Sequence, residues 1–166
     1  MPRRKRVLKR PAISPDKDFN DILVTRLVNR VMLSGKKTVA NKIVYKALME
    51  ASKELQVEPL EVLRIALNNI RPQIEVKSMR VGGANYQVPV EPYPERAVSL
   101  SLRWLVKAAK EVKGKPMWIK LKDVLIQSFN GEGAAVTKRN TVHQTAAGNK
   151  AFAHLAVWAK RRKEGK

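Results

Sequence analysis

Apolar residues recur at helical spacing through most of this chain. Phe19, Ile22, Leu23, Leu27 and Val31 fall near one face, with Asp16 or Asp18 placed to cap the helix they predict. Ser34-Gly35 stops it. Val39, Ala40, Ile43, Val44, Ala47, Leu48 and Ala51 form the stripe of a second helix, from about Lys37 to Leu55. Pro59 sits in the first turn of a third, with Val62, Leu63, Ala66, Leu67 and Ile70 facing inward and Pro72 ending it. A fourth begins after Pro92 or Pro94 and carries Val98, Leu102, Leu105, Val106, Ala109 and Val112 as far as Gly114. Pro116 opens a fifth, with Ile119, Val124, Leu125 and Phe129, closed by Asn130-Gly131. The sixth runs from about Ala134 to beyond Trp158; it is Ala-rich and weakly amphipathic, then basic.

One stretch breaks this period. From 74 to 91, two β-prone runs flank Gly82-Gly83, a pair that permits positive φ and close backbone approach. Pro89 would be wrong in a central strand but is tolerated in a ribbon, where each strand has a free edge. No second hairpin pattern exists for it to join, and an isolated two-stranded hairpin is marginal in water. It therefore lies on the helices or reaches for a partner. The expected fold is mainly α: a six-helix bundle with one protruding two-stranded β-ribbon. The expected organisation is a basic N-terminal arm over 1–15, a single helical domain over 16–157 and a basic extension over 158–166.

Charge decides what kind of partner. Thirty-four Lys and Arg face 14 Asp and Glu, a formal net charge of +20 on 166 residues. Self-repulsion of that size makes a polyanion, most simply nucleic acid, the natural partner. An anionic membrane surface is the weaker alternative; no apolar run approaches the roughly 18 residues that span a bilayer. With 44% hydrophobic residues the chain can still bury a core. The absence of cysteine excludes disulfides and thiolate metal sites. The start, Met1 to Arg10, lacks the apolar core of a signal peptide and is too short and too purely basic for a typical organelle presequence.

Catalytic chemistry finds no footing. His143 and His154 stand three helical turns apart, too far to share a metal. Ser34-Gly35-Lys36-Lys37-Thr38 resembles only the end of a phosphate-binding loop: Arg30 occupies the required glycine position and a helix, not a strand, precedes. Gly131-Glu132-Gly133 lacks the third glycine of a dinucleotide fingerprint. No carboxylate pair, nucleophile–base pair or metal cluster emerges, so no catalytic residue, metal or cofactor is expected.

Phosphate-binding chemistry is plentiful instead. The arm supplies Arg3, Arg4, Lys5, Arg6 and Arg10, and the first interhelical turn Lys36 and Lys37. Arg96, Arg103 and Lys107 rise along the fourth helix, the last two as an i,i+4 pair, with Lys113 and Lys115 after it. Lys77, Arg80 and Tyr86 sit on the ribbon; cations bind phosphate, and a ring or guanidinium stacks on an unpaired base. Trp104 beside Arg103, and Trp118 beside Lys120, offer further rings, although a helix tryptophan is more often core. A ribbon that enters a DNA groove is the competing reading, but the tip, Val81-Gly82-Gly83-Ala84, carries no large wedge.

The run Val76-Lys77-Ser78-Met79-Arg80-Val81-Gly82-Gly83-Ala84-Asn85-Tyr86-Gln87-Val88-Pro89-Val90-Glu91 closely resembles the signature of the small-subunit ribosomal protein seven family. Gly35-Lys36-Lys37, Arg71-Pro72, Leu102-Arg103-Trp104, Val136-Thr137-Lys138-Arg139 and Ala151-Phe152-Ala153-His154 extend the likeness over nearly the whole chain. The resemblance implies that Arg71, Lys138, Arg139 and the Gly82-Gly83 backbone join the RNA-contacting set. It implies binding to the 3′ major domain of small-subunit ribosomal RNA, nucleation of head assembly, and a place near the exit-site tRNA. It also implies contacts with small-subunit ribosomal proteins nine and eleven. A bacterial cytoplasm, or an organelle that encodes the chain itself, fits the missing presequence. Repression of its own mRNA through the same surface is a further reading. Two departures stand out. Pro92-Tyr93-Pro94-Glu95-Arg96 is poorer in arginine than in bacterial relatives, and the chain continues from Leu155 through Trp158 to Lys160-Arg161-Arg162-Lys163.

Overall fold

A computed structural model describes residues 12–156. The elements are α1 (Ile22–Val31), α2 (Lys37–Leu55), α3 (Pro59–Ile70), β1 (Glu75–Val81), β2 (Ala84–Val90), α4 (Pro94–Glu111), α5 (Met117–Phe129) and α6 (Ala134–Gly148). A 3₁₀ turn, Lys150–Phe152, follows. Arg3, Arg4, Lys5, Arg6 and Arg10 of the arm lie outside the described residues, as do Trp158 and the basic extension.

Helix α5 is the hub. It packs against α2, α3, α4 and α6. Its Leu121 and Leu125 are fully buried, in one cluster with Leu27 of α1, Leu48 of α2, Leu63 and Ile70 of α3, and Leu102 and Leu105 of α4. Alanines at 40, 47 and 51 on the inner face of α2 let its neighbours approach closely. Among the described residues, no helix is long and apolar enough to cross a membrane.

Several local expectations shift. The cap of α1 is Asp21, not Asp16 or Asp18: its Oδ1 accepts the Leu23 N–H at 2.7 Å. Asp16 works one turn earlier. It accepts the backbone N–H groups of Asp18 and Phe19 and, at 2.6 Å, the Tyr45 hydroxyl. Phe19 accordingly precedes the helix and packs edge-on against Tyr45, with ring centroids 5.4 Å apart. Val39 is 52% exposed, because the buried stripe of α2 is centred on Ala40 and Val44, one residue (about 100°) further round. Val112 is the C-cap residue of α4 and lies outside the core.

The sixth helix does not run unbroken toward Trp158. It ends at Gly148, tightens into the 3₁₀ turn, and regains helical form only at Ala153. Competition for backbone acceptors explains the break. The hydroxyls of Thr137, Thr141 and Thr145 each donate to the carbonyl four residues back, which weakens and bends a helix. Asn149 then donates its side-chain amide to the Thr145 carbonyl at 2.8 Å, a local closure that competes with further turns.

The ribbon is antiparallel, in register from Glu75 opposite Val90 to Val81 opposite Ala84. Gly82 and Gly83, at φ +57° and +92°, form the two-residue turn with both central residues left-handed that suits the twist of a hairpin. The first alternative raised by the sequence, that the hairpin lies on the helices, holds for its root. The root lies on α6 and the 3₁₀ turn, with Val88 fully buried and the Tyr86 ring 5.1 Å from that of Phe152. The tip, residues 82–85, is exposed.

Because α5 touches four helices, Leu125→Ala is expected to cost about 2–5 kcal/mol. Urea titration checks this: the midpoint should fall while the slope stays that of the parent.

Candidate nucleic-acid interface

A groove of about 550 Å³ opens between the ribbon, α4 and α6. Val76 and Gln87 line it from the ribbon, Arg103 and Trp104 from α4, and Lys138 and Thr141 from α6. The surrounding segments are depleted of negative charge. No Asp or Glu occurs from Val76 to Val90 or from Gly133 to Ala156. Arg103 and Lys138 are exposed, so their cations are available to an anion in the groove.

Glu75 is the one carboxylate lining this groove, and Arg96 neutralises it. The guanidinium donates twice, from Nη2 to Oε1 at 2.8 Å and from Nε to Oε2 at 3.3 Å. That hydrogen bonding holds the Glu75 carboxyl below its ordinary range, against the opposing effect of burial; the charges of Arg96, Lys77 and Arg103 assist. Arg96 thus ties α4 to the first residue of β1. It braces the ribbon rather than projecting freely.

On the ribbon, register separates the two cations. Lys77 stands opposite Val88 and Arg80 opposite Asn85. Cross-strand partners share a face and faces alternate, so Lys77 and Arg80 belong to opposite faces. Both are exposed, making a two-sided cationic arm. Tyr86 is half-buried against Phe152, which occupies one side of its ring.

The other residues expected to contact RNA divide into free and engaged groups. Lys36 and Lys37 are exposed at the start of α2, after a turn in which Ser34 and Gly35 both have positive φ. Lys107 pairs with Glu111 at 3.6 Å and Lys115 with Asp123 at 3.0 Å, both solvent-exposed pairs of little strength. Trp104 is half-buried on the core and shows only part of itself to the groove. Trp118 lies under the Lys46 ammonium, 3.9 Å from the ring centroid.

Arg71 and Arg139 meet elsewhere, in a second cleft at the ribbon root. Arg139 donates to the Asn69 carbonyl and to Asn140 Oδ1. Asn69 in turn donates to the last carbonyls of α5, Ser128 at 3.0 Å and Phe129 at 2.9 Å. His143 lines the same cleft, and its Nε2 accepts the Gln73 N–H at 3.1 Å. Burial, then the charge of Arg139, lowers its pKa from the ordinary 6.5. The sequence offered no signal for this role: Gln73 and His143 are 70 positions apart.

Comparison with known proteins decides the family. The profile of the family described as Ribosomal protein S7p/S5e matches residues 2–150, a stretch that ends where the 3₁₀ turn begins. The chain belongs to this ribosomal protein family. It is 50% identical over 153 residues to the small ribosomal subunit protein uS7 of Thermosipho africanus, covering 92% of this chain and 97% of the relative. The uS7 of Thermotoga maritima is 49% identical over 152 residues, at 92% and 97% coverage. That of Cupriavidus necator is 47% identical over 155 residues, at 93% and 99%. The chain is thus a structural protein of the small ribosomal subunit and not an enzyme. Among the described residues no group of three or more His, Asp or Glu could hold a metal ion.

Two outcomes test this geometry. Glu75→Gln removes the charge that Arg96 grips; a part-exposed pair of this kind contributes about 0.2–1 kcal/mol. Hydrogen exchange should therefore quicken at β1 and β2 more than in α5. The second concerns His143. Its folded pKa lies below the unfolded value, so the unfolded chain binds more protons as pH falls through that range. Stability present above the ordinary imidazole pKa is lost below it, because a doubly protonated ring cannot accept from Gln73. Thermal unfolding at about pH 7.5 and pH 5.5 should show that loss in the parent and a smaller one in His143→Gln.

Proposed function

We propose that this protein clamps small-subunit ribosomal RNA and fixes the geometry of a helical junction. The observation that carries the proposal is the ribbon–α4–α6 groove. Arg103 and Lys138 line it, Lys77 and Arg80 extend from it on two faces, and the single lining carboxylate is already neutralised. The arm over 1–15 and the Lys36-Lys37 turn add phosphate contacts, and the extension over 158–166 adds more. Phosphate contacts set position, while helix shape and unpaired bases give selectivity.

Family membership supports the finer reading. The RNA is the 3′ major domain, the protein nucleates the head, and it sits near the exit-site tRNA beside ribosomal proteins nine and eleven. Its place is the ribosome of a bacterial cytoplasm or of an organelle interior. The relatives named above are bacterial, and each is a small ribosomal subunit protein by name.

Lys77→Ala with Arg80→Ala should weaken binding to a 3′ major-domain RNA fragment by about 1–3 kcal/mol while the helical circular dichroism is retained. With six to ten phosphates neutralised, parent affinity should fall by roughly three to five decades between about 50 and 200 mM salt, somewhat less on single strands. Unchanged affinity in the folded double variant refutes the ribbon's role. Equal affinity for duplex DNA refutes the ribosomal reading.

A further inference from the structure

The cleft at the ribbon root is distinct from the groove of the clamp. Helix α6 lies between them, with Lys138 and Thr141 on the groove and Arg139 and His143 on the cleft. Asn68, Arg71 and Pro72 wall it from the end of α3, and Glu91 and Pro92 from the far root of the ribbon. Its volume of about 840 Å³ is much more than a phosphate ion fills and suits a ligand of several rings or groups.

Its chemistry is mixed in a specific way. Arg71 is exposed and has no carboxylate within 4 Å among the described residues. Arg139 makes three hydrogen bonds, which leaves two of its N–H groups for a ligand. Glu91 lines the same cleft, exposed and likewise without an ion-pair partner among the described residues. A bare anion would be repelled by that carboxylate. A ligand that brings both a phosphate and a pair of N–H donors satisfies all three groups. Guanine carries adjacent N1–H and N2–H donors on its Watson–Crick edge, spaced to meet the two oxygens of one carboxylate. Adenine presents an acceptor at N1 in that place. The part-exposed Pro92 supplies apolar surface for a base, and the half-buried His143 ring is held by Gln73.

We infer that this cleft receives one unpaired guanosine nucleotide, with its base edge on Glu91 and its phosphate on Arg71 and Arg139. The source is a single-stranded position in the bound RNA, so the inference rests on the RNA-binding reading above. It gives that reading a base-reading contact in addition to the phosphate contacts of the clamp.

The test uses the full chain, isotope-labelled, and follows the Gln73 amide and the His143 ring by NMR. Titration with 5′-GMP should move both signals saturably, with an affinity about tenfold above that for 5′-AMP, the discrimination expected of a two-pronged base contact. Glu91→Gln, an exposed substitution that keeps the side chain's size, should erase the preference. The pentanucleotide UUGUU should move the same signals at lower concentration than GMP, and UUAUU should not. No saturable movement with either nucleotide overturns the site. The same movement with inorganic phosphate overturns it in favour of simple anion binding. Equal GMP and AMP affinities overturn the guanine preference, and tighter binding of GMP than of UUGUU overturns the RNA source. Mononucleotide titration leaves the ribbon untouched, and the ribbon double variant leaves the cleft intact, so either reading can fail alone.

Discussion

Negative charge is the scarce resource in this protein. Fourteen carboxylates face 34 cations, and where each carboxylate sits decides which cations remain free. Several of those in the helical body tie cations within the chain. Asp21 holds Arg64 of α3, Glu54 of α2 holds Lys122 of α5, and Asp123 holds Lys115. These pairs are individually weak, being mostly solvated, but they keep the compact state from facing the full self-repulsion of its charge. The ribbon arms between Val76 and Val90, and the whole of α6, contain none. Excess positive charge is thereby left on the ribbon and α6.

The ribbon depends on the same economy. Two strands cannot support themselves in water, so the root must be held by something other than its own ladder. Burial of Val88, the Tyr86–Phe152 contact and the Glu75–Arg96 pair do this from three directions. The consequence is a division of labour. Tyr86 and Arg96, both attractive as RNA contacts by type, are engaged in holding the arm in place. Lys77 and Arg80 stay exposed on an arm whose base is packed and paired. An arm held at its base has less conformational entropy to lose when a partner is bound, which favours affinity.

Much of the fold was legible because the helices are written at a regular period and bounded by proline and glycine. Pro59 and Pro94 open α3 and α4, and Pro116 precedes α5. The Gly82-Gly83 turn was equally clear, since only a residue without a side chain takes two successive left-handed conformations at low cost. The misreadings have local causes. Three aspartates lie within six residues, and any of them could cap a helix. The folded chain separates them: Asp21 accepts the Leu23 N–H, while Asp16 is taken up by the Tyr45 hydroxyl. The end of α6 was hidden because alanine-rich sequence favours helix while its threonines withdraw backbone acceptors.

The candidate site divides along the same line. Composition, period and turn chemistry determined that the protein is a helical bundle with one ribbon and an excess of cations suited to a polyanion. These are properties of residue type and near-neighbour spacing, which a chain carries before it folds. Tertiary structure alone decided which cations are free. Pairing depends on distances between residues tens of positions apart: Arg96 with Glu75, Arg139 with Asn69, His143 with Gln73. It also decided that Arg71, Glu91 and Arg139 share one cleft. The cleft does not follow from spacing, because the meeting of four elements at the ribbon root exists only once the core has packed.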